Sequence, residues 1–402
     1  MPSQIPTRDV VFLSAVRTPI GTYGGSLKDI PVIDLTVVAA KAAIDRANIA
    51  PSSIQNSIFG NVLYTTNDSI YLGRHVALKA GCPIETPGLT LNRLCGSGFQ
   101  AVISGAQDIL LGEFDVCLVG GAESMSQAPH AARGLRWGIP MGRTPLLEDT
   151  MTEGLRDSYA GCSMSDTAEK LAAKYEVTRA EADEFALRSQ MLAKAAWESG
   201  VYANEVVPVQ MAHPKTKQVS EFQHDEHMRP QSTAEGLAKL KPAFRPDGLV
   251  TAGNASGIGD GAAALVIAGA DAAERLGAKP LARLVSWAVA GVDPTIMGFG
   301  PVPASRAALA KAGLTLGDMD LIEVNEAFAQ QVVAVERELG IPRDKLNIHG
   351  GAVALSHPLG MSGARITTHL VHALRTGGHR YGLGTACIGG GQGIAVIIEA
   401  LA

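Results

Sequence analysis

Residues 91–110, LNRLCGSGFQAVISGAQDIL, decide the fold because a related stretch recurs 265 positions later at 356–375, SHPLGMSGARITTHLVHALR. Ser97-Gly98 and Ser362-Gly363 have this spacing (362 − 97 = 265), as do Gly112 and Gly377, and Leu118 and Leu383. Apolar patterns match at the same offset over about 75 residues, which indicates an internal duplication.

Strands and Ala-rich helices alternate in both halves, which is typical of an α/β protein with mostly parallel strands. The repeat loses its register after Ala122, and the strand that should close the first half is best matched by GAAALVIAGA, beginning at Gly261. About 133 residues are therefore inserted there. We predict a first core half at 1–122 plus 256–278, an inserted substrate-binding loop domain at 123–255, and a second core half at 279–402.

Composition and charge exclude several classes of protein. Of 402 residues, 46% are hydrophobic and 18% charged, which is typical of a folded globular chain, and a net charge of −5 gives no reason to expect nucleic acid as a partner. No apolar run approaches the roughly 20 residues of a membrane span. The first residues, MPSQIPTRDVVFLSAVRTP, lack the apolar core of a secretory signal.

The five cysteines are an odd number without a C-x-x-C pair, so neither a disulfide framework nor a metal site is expected. They favour a reducing compartment, which we predict to be the cytoplasm, with the mitochondrial matrix as the alternative. The chain also lacks a GxxxxGK[ST] element and a convincing G-x-G-x-x-G turn, so nucleoside triphosphate or NAD chemistry is not favoured.

Cys95 is the first candidate for chemistry. It lies between a predicted strand and an amphipathic helix, so its sulfur should sit at a helix N-terminus, where backbone N–H groups favour the thiolate. Gly96 and Gly98 leave room for a thioester carbonyl beside it. Cys95 is therefore predicted to be a nucleophile.

Residues of the second half should face Cys95, because equivalent loops of two pseudo-symmetric halves tend to meet. His357 lies in a Gly-rich loop and is a suitable base for a cysteine nucleophile. Cys387 precedes three glycines, where backbone N–H groups can stabilise an anion, and it could exchange a proton with a carbon acid. Asn325 could polarise a carbonyl or hold a water, or it could simply be a helix N-cap.

The ordered motifs resemble those of the thiolase family over essentially the whole chain. They include SAVRTPIGTYGGSL, NRLCGSGFQ, GGAESMSQAP, DEHMRP, TAGNASGIGDGAAA, VNEAFA, GGAVALSHPLG and CIGGGQG. The resemblance implies a thiolase-like α/β fold, in which two duplicated halves form a layered αβαβα core with an inserted loop domain. It also implies acyl transfer between coenzyme A thioesters, with CoA as a co-substrate and no tightly bound cofactor.

The same resemblance implies a role for each candidate. Cys95 would carry the acyl group, His357 would activate it, and Cys387 would move the proton at the α-carbon of the acetyl group. Asn325 would hold a water in one oxyanion hole, and the N–H groups of Cys95 and Gly389 would form the other.

Six further residues are implied to contact CoA. Ser256 and Ala255 would touch the pantetheine arm, and Arg229 would approach the phosphates. Phe244, Met164 and Phe328 would line the arm. Family members also pair through the core, and some tetramerise through a loop equivalent to about 129–148, so a homodimer or homotetramer is expected.

Two residues depart from the family pattern. Ser163 stands where related acetoacetyl-CoA thiolases have histidine, which argues against strict acetoacetyl specificity, and Ser356 stands where glycine is usual. Two alternatives remain: a ketosynthase-type condensing enzyme, which would have a second histidine in place of Asn325 and no Cys387, and a non-catalytic acyl-CoA- or lipid-binding relative.

Overall fold

The computed structural model describes residues 8–212 and 218–401. The first seven residues, on which part of the leader prediction rests, and residues 213–217 of the inserted segment lie outside it. The strands are β1 Val10–Arg17, β2 Gly21–Thr22, β3 Asn56–Gly60, β4 Gly88–Leu91, β5 Val116–Ser124, β6 His130–Ala132, β7 Leu147–Asp149, β8 Arg156–Asp157, β9 Cys162–Ser163, β10 Val209–Ala212, β11 Val219–Phe222, β12 Gly259–Gly269, β13 Ala282–Gly291, β14 Leu321–Val324, β15 Tyr381–Ile388 and β16 Gln392–Ala400. The helices are α1 Val32–Arg46, α2 Leu72–Lys79, α3 Ser97–Leu111, α4 Thr150–Gly154, α5 Met164–Lys174, α6 Arg179–Glu198, α7 Ala234–Ala238, α8 Ala270–Leu276, α9 Pro301–Ala312, α10 Ala329–Leu339, α11 Ala352–Leu355 and α12 Ser362–Gly377. None of the helices in the described ranges is long and apolar enough to cross a membrane.

The main sheet runs in the order β14-β15-β16-β13-β1-β12-β5-β3-β4. In the first half β3 and β5 are parallel, while β5–β12 and β12–β1 are antiparallel. The second half repeats this as β14–β15 parallel, then β15–β16 and β16–β13 antiparallel. The prediction of mostly parallel strands is therefore wrong: helical crossovers make only the outer pairs parallel, and the inner pairs are antiparallel.

The predicted duplication is confirmed by the strand and helix bounds. β14 begins 265 positions after β3 (321 − 56), α12 the same distance after α3 (362 − 97), and β15 after β5 (381 − 116). β1 and β13 pair over Val10–Phe12 and join the two half-sheets. β5 continues to Ser124, just past the predicted limit of the first segment, and the domain division stays a prediction.

The core is layered as αβαβα. Helices α3 and α12 pack against each other between the two half-sheets, α3 on β3 and β5, and α12 on β15. α1 covers the outer face of the first half, and α9 covers that of the second. Three large clusters of buried apolar side chains fill the spaces between these layers, so each helix layer is held by the hydrophobic effect on the sheet beside it.

Glycines allow the two central helices to approach at their N-termini. A Cβ on Gly98 would overlap the backbone nitrogen of Ala364, and a Cβ on the equivalent Gly363 would overlap the backbone nitrogen of Phe99. The loop before α12 is just as close to β5, because a Cβ on Gly121 would overlap the carbonyl oxygen of Gly360. The segments that precede α3 and α12 are thereby brought face to face.

The inserted segment is attached to the core by buried charges. The guanidinium of Arg17 on β1 bonds Glu205 at 2.7 Å and Asp225 at 2.8 Å, and both carboxylates belong to the insert. Glu205 also accepts from Nδ1 of His369 on α12 at 2.8 Å. Since removing one member of a buried ion pair leaves an unpaired charge, this cluster fixes the position of the insert over the core.

We expect Gly363→Ala to destabilise the protein, because the new methyl group would meet a backbone atom that no rotamer change can move. Overpacking of this kind costs about 1–3 kcal/mol. Urea unfolding followed by circular dichroism measures the loss. The matched control is Gly291→Ala, where a Cβ would meet nothing within 4 Å; equal stability losses in the two variants would contradict the close helix contact.

Candidate active site

One largely apolar cavity of about 340 Å³ lies where the two halves and the insert meet. Cys95 comes from the loop before α3, and His357 from the loop before α12. The remaining lining residues are Met125, Met151, Thr152, Leu155, Ser163, Met164, Ser165, Phe244, Ala255, Ser256, Gly257, Ile258, Met297, Ala327, Phe328 and Leu359. The duplication had predicted this meeting of loops.

Cys95 is half-buried and directly precedes Gly96, the N-cap residue of α3. Burial raises the pKa of its thiol to about 11, although the backbone N–H groups of Gly389 and of Cys95 itself oppose this effect. The backbone N–H groups thus favour the thiolate, as expected, but desolvation outweighs them and raises the pKa of the thiol. The same two N–H groups are the ones predicted to form an oxyanion hole.

His357 is buried and uncharged. Burial and the nearby charge of Arg365 lower the pKa of the imidazole to about 3, so the ring is neutral at ordinary pH. Its Nε2 lies 3.3 Å from Nδ2 of Asn325, and its Nδ1 lies 2.6 Å from Oγ of Ser362. A neutral ring held at both nitrogens can accept a proton without reorienting.

Asn325 follows β14 and is fully buried. The N-cap interpretation is wrong, because α10 begins after Phe328 and no side chain caps it. The side chain of Asn325 instead reaches His357, and its Oδ1 has no hydrogen-bond partner among the described residues.

Cys387 is the penultimate residue of β15 and is buried against Met297 and Ala327. Burial raises the pKa of its thiol, and the neighbouring Cys95 raises it further. Gly389, two residues on, directs its N–H at Cys95. One turn thus places a second thiol and an N–H donor beside the first thiol.

The comparisons with known proteins agree with this geometry. Residues 10–271 match the family model described as thiolase, N-terminal domain, and residues 278–400 match thiolase, C-terminal domain. The chain belongs to the thiolase family.

Its relatives are similar over nearly their whole length. The chain is 53% identical to human mitochondrial 3-ketoacyl-CoA thiolase (98% of this chain, 99% of the relative) and 48% identical to a beta-ketothiolase of Cupriavidus necator (98% and 99%). The crystal structure of the human enzyme superposes with a TM-score of 0.96, covering 98% of this chain and 99% of that one. The crystal structure of acetyl-CoA acetyltransferase from Bacillus anthracis, 45% identical, gives 0.95 with the same coverage. The expected thiolase fold is thereby confirmed.

Two buried carboxylates of this thiolase were not singled out from the sequence. Glu123, at the end of β5, accepts hydrogen bonds from the side chain of Asn61 and from the N–H groups of Val62, Leu63 and Gly360. Burial raises its pKa to about 7. In the sequence, a charged residue at the end of an apolar strand is the signal that could have revealed Glu123. The role of Glu123 is to tie the loop before α12 to the first half.

The second buried carboxylate, Glu326, follows Asn325 directly. It accepts from Oγ of Ser189 on α6, from Nδ2 of Asn347 and from the N–H of Val353. It therefore links the insert to the second half and holds the backbone on which Asn325 sits.

Five of the six residues predicted to contact CoA line the cavity: Ala255, Ser256, Phe244, Met164 and Phe328. Arg229 does not. It is exposed, and its guanidinium donates to backbone carbonyls of its own loop, including that of His227 at 2.6 Å. Within the described residues, no three His, Cys, Asp or Glu side chains are grouped so that they could hold a metal.

The two departures from the family pattern have different structural consequences. Ser163 lines the cavity and caps α5, its Oγ accepting from the N–H of Asp166 at 3.2 Å. Ser356 has φ 89° and ψ 167°, a backbone region used almost only by glycine. Its buried Oγ has no partner among the residues described. The backbone conformation at position 356, which strains any residue except glycine, thus explains why glycine is usual there in the family.

We expect Ser356→Gly to stabilise the protein by about 1 kcal/mol, because glycine removes the strain but is itself more flexible when unfolded. Urea unfolding midpoints measure the change. Ser356→Ala is the matched variant: it removes the unpartnered hydroxyl but keeps the Cβ, so it should gain less. A larger gain for alanine would show that the hydroxyl, not the backbone, is the cost.

Alkylation of Cys95 by iodoacetamide should accelerate about tenfold per pH unit from pH 7 to pH 10. Only the thiolate reacts, and below a pKa of about 11 its fraction rises by this factor. Mass spectrometry of the modified peptide gives the rate, and Cys95→Ala reports alkylation elsewhere. A plateau below pH 9 would contradict the raised pKa.

Proposed function

We propose that the chain cleaves 3-oxoacyl-CoA with free CoA to give acyl-CoA and acetyl-CoA, and catalyses the reverse Claisen condensation. The observation that carries the proposal is the cavity lined by Cys95 and a neutral His357, with Cys387 buried against the wall residues Met297 and Ala327 and near enough to Cys95 for that group to raise its pKa. A single nucleophile would suffice for hydrolysis. A second thiol in this position supplies a proton to carbon, which carbon–carbon cleavage requires.

In the first half-reaction, the Cys95 thiol gives its proton to Nε2 of His357, and the sulfur attacks the keto carbon. Because both groups are neutral before the transfer, the charge pair forms only when a substrate occupies the apolar cavity. Negative charge then develops on two oxygens in turn, that of the keto group and that of the departing enolate. Each well-placed donor to such an oxygen is worth about 3 kcal/mol.

Two sets of donors are available for these oxygens. The N–H groups of Cys95 and Gly389 point at the reacting sulfur and suit the tetrahedral oxygen. Asn325 and His357 lie next to each other and suit the enolate oxygen, with Asn325 acting through a water. The bond between the α-carbon and the keto carbon breaks, and Cys387 gives its proton to the α-carbon to release acetyl-CoA.

The acyl group now forms a thioester with Cys95, and the enzyme carries one proton on His357 and a thiolate at Cys387. Transfer of that proton to Cys387 leaves His357 free to accept the proton of incoming CoA. The CoA sulfur attacks the thioester, Cys95 leaves, and it recovers a proton from His357. The cycle closes with acyl-CoA released, so the kinetics are ping-pong.

We propose that CoA enters along the wall made by Ala255, Ser256 and Phe244. The small side chains of the 255–257 loop leave room for a narrow pantetheine arm, while Phe244 is 60% exposed and can cover an incoming ligand. One of the similar solved structures is of the human mitochondrial enzyme in complex with CoA, with a TM-score of 0.95 and 53% identity, which supports this use of the cavity. Arg229 keeps its proposed role at the phosphates only if its guanidinium leaves the backbone carbonyls it now binds. We also propose that the enzyme works without a tightly bound cofactor.

The acyl group is proposed to extend beyond acetoacetyl length. The wall next to Cys95 is formed by Met125, Met151, Leu155 and Leu359, with Ser163 in place of an imidazole. Flexible, unbranched apolar side chains such as methionine adapt to acyl chains of different length.

A homo-oligomer is proposed because large apolar side chains are exposed in two regions. Ile84 and Leu89 lie before and on the edge strand β4, and Trp137 and Leu146 lie between β6 and β7 within the predicted oligomerisation loop.

Several similar proteins are mitochondrial, which supports the matrix alternative over the cytoplasm.

The proposed function is tested by following the ultraviolet loss of acetoacetyl-CoA and of longer 3-oxoacyl-CoAs with and without free CoA. Cleavage should require CoA, and the longer substrates should be accepted. Cleavage without CoA would point to hydrolysis and refute a thiolase. No turnover, despite acylation of Cys95, would favour the ketosynthase-type or the binding-protein alternative.

Replacing Cys387 by alanine should separate the two thiols. The variant should lose exchange of the acetyl-CoA methyl protons with solvent deuterium, by about a hundredfold or more, since general acid–base groups contribute factors of this size. Cys95 should still be acylated, as measured by mass spectrometry of the intact protein. Acylation lost together with exchange would refute the division of roles; Cys82→Ala, a buried cysteine away from the cavity, is the control.

A further inference from the structure

Ser362 is the first residue of α12 and is 2% exposed. Its Oγ is engaged twice: it lies 2.6 Å from Nδ1 of His357, and it lies 2.9 Å from the carbonyl oxygen of Pro358. Only one of these two contacts can use the single proton of the hydroxyl.

A carbonyl oxygen can only accept, so the hydroxyl proton of Ser362 is directed at Pro358. Oγ then presents a lone pair to the imidazole, and Nδ1 of His357 must be the donor. A neutral imidazole carries one N–H. Its Nε2 is consequently the bare nitrogen.

The contact on the other side of the ring agrees with this tautomer. The Nδ2 group of Asn325 is a donor and lies 3.3 Å from Nε2, where a lone pair is needed to receive it. A continuous chain of donors therefore runs from Asn325 through His357 and Ser362 to the carbonyl of Pro358.

The equivalent serine of the first half makes a different set of bonds. Ser97 lies 265 positions earlier, also begins a central helix, and donates to the carbonyl of Leu94 at 2.7 Å while accepting from the N–H of Arg93 at 2.8 Å. Asn92 occupies the position that His357 has in the second half, and it bonds to backbone groups instead. Only in the second half is the serine lone pair available to an imidazole.

We infer that Ser362 is a positioning residue, which holds His357 as the tautomer protonated at Nδ1 and so keeps Nε2 ready to accept the proton of Cys95. The inference rests on the proposed function, since it assigns Nε2 the task of proton acceptor. When Nε2 is protonated, the Nδ1–H bond to Ser362 also restrains the charged ring within the buried site.

The tautomer is measured directly on the unmodified protein by nitrogen-15 NMR of histidine-labelled samples, with His357→Gln identifying the signal. Long-range proton–nitrogen couplings show which ring nitrogen carries the proton. The expected result is a neutral ring protonated at Nδ1. A ring protonated at Nε2 would overturn the inference, and this measurement needs no altered serine and no turnover.

Ser362→Ala removes the acceptor from Nδ1. We expect kcat for CoA-dependent cleavage to fall roughly tenfold or more, because a general base contributes about 10²–10⁴-fold and a base held as the wrong tautomer loses part of this, with KM for CoA changed by less than about twofold. The His357 signal should show the second tautomer. The matched control is Thr367→Val on the same helix, whose buried hydroxyl donates to the carbonyl of Gly363 at 2.8 Å and does not touch His357.

The outcomes separate the inference from the proposed function. If Ser362→Ala retains kcat and the Nδ1 tautomer, Ser362 is not a positioning residue. If Thr367→Val loses as much activity, the effect is loss of a buried hydroxyl in α12, and the inference again fails. If the unmodified protein cleaves no 3-oxoacyl-CoA, the proposed function fails, whereas the NMR result still decides the tautomer.

Discussion

The structure depends on the contact between the N-termini of α3 and α12. Both helices begin with Ser-Gly, and at Gly98 and Gly363 the backbone of one helix lies where a side chain of the other would have to be. No other residue type permits such an approach. Because the helices meet at this end, the loops before them also meet, and Cys95 and His357 line one cavity although 262 positions separate them (357 − 95). The catalytic pairing is therefore a consequence of how two copies of one unit pack.

The second constraint is electrostatic. The reacting groups are buried beside a largely apolar cavity, so ionised groups are costly, and the pKa values shift toward neutral forms: those of both thiols rise, and that of His357 falls. Burial also raises the pKa values of Glu123 and Glu326, and each of these carboxyl groups is surrounded by hydrogen-bond donors. These carboxylates fix the backbone of the loops and leave the reacting groups neutral until substrate arrives. The residues that hold the loops in place are thus different from the residues that react.

The sequence alone predicts the parts of this design that repeat. The 265-residue offset predicts the equivalent strands and helices, the insertion, and the loops that converge, because duplicated units fold alike. Strand direction could not be predicted in the same way: β12 and β16 return antiparallel although they belong to an α/β pattern. The acidity of Cys95 was also beyond the sequence, since a helix N-terminus is visible in a motif but desolvation depends on residues from the other half and the insert.

The two halves share a backbone but not a chemistry, and this asymmetry follows from few residues. In the repeat, Asn92 corresponds to His357 and Ala122 corresponds to Cys387, whereas both α3 and α12 begin with serine. In the first half the serine satisfies its own loop and so holds the segment that carries Cys95. In the second half the same hydroxyl, still bonded to a carbonyl of its loop, has a lone pair left for an imidazole. The same serine hydroxyl can therefore position a base when the residue five positions before it is histidine instead of asparagine.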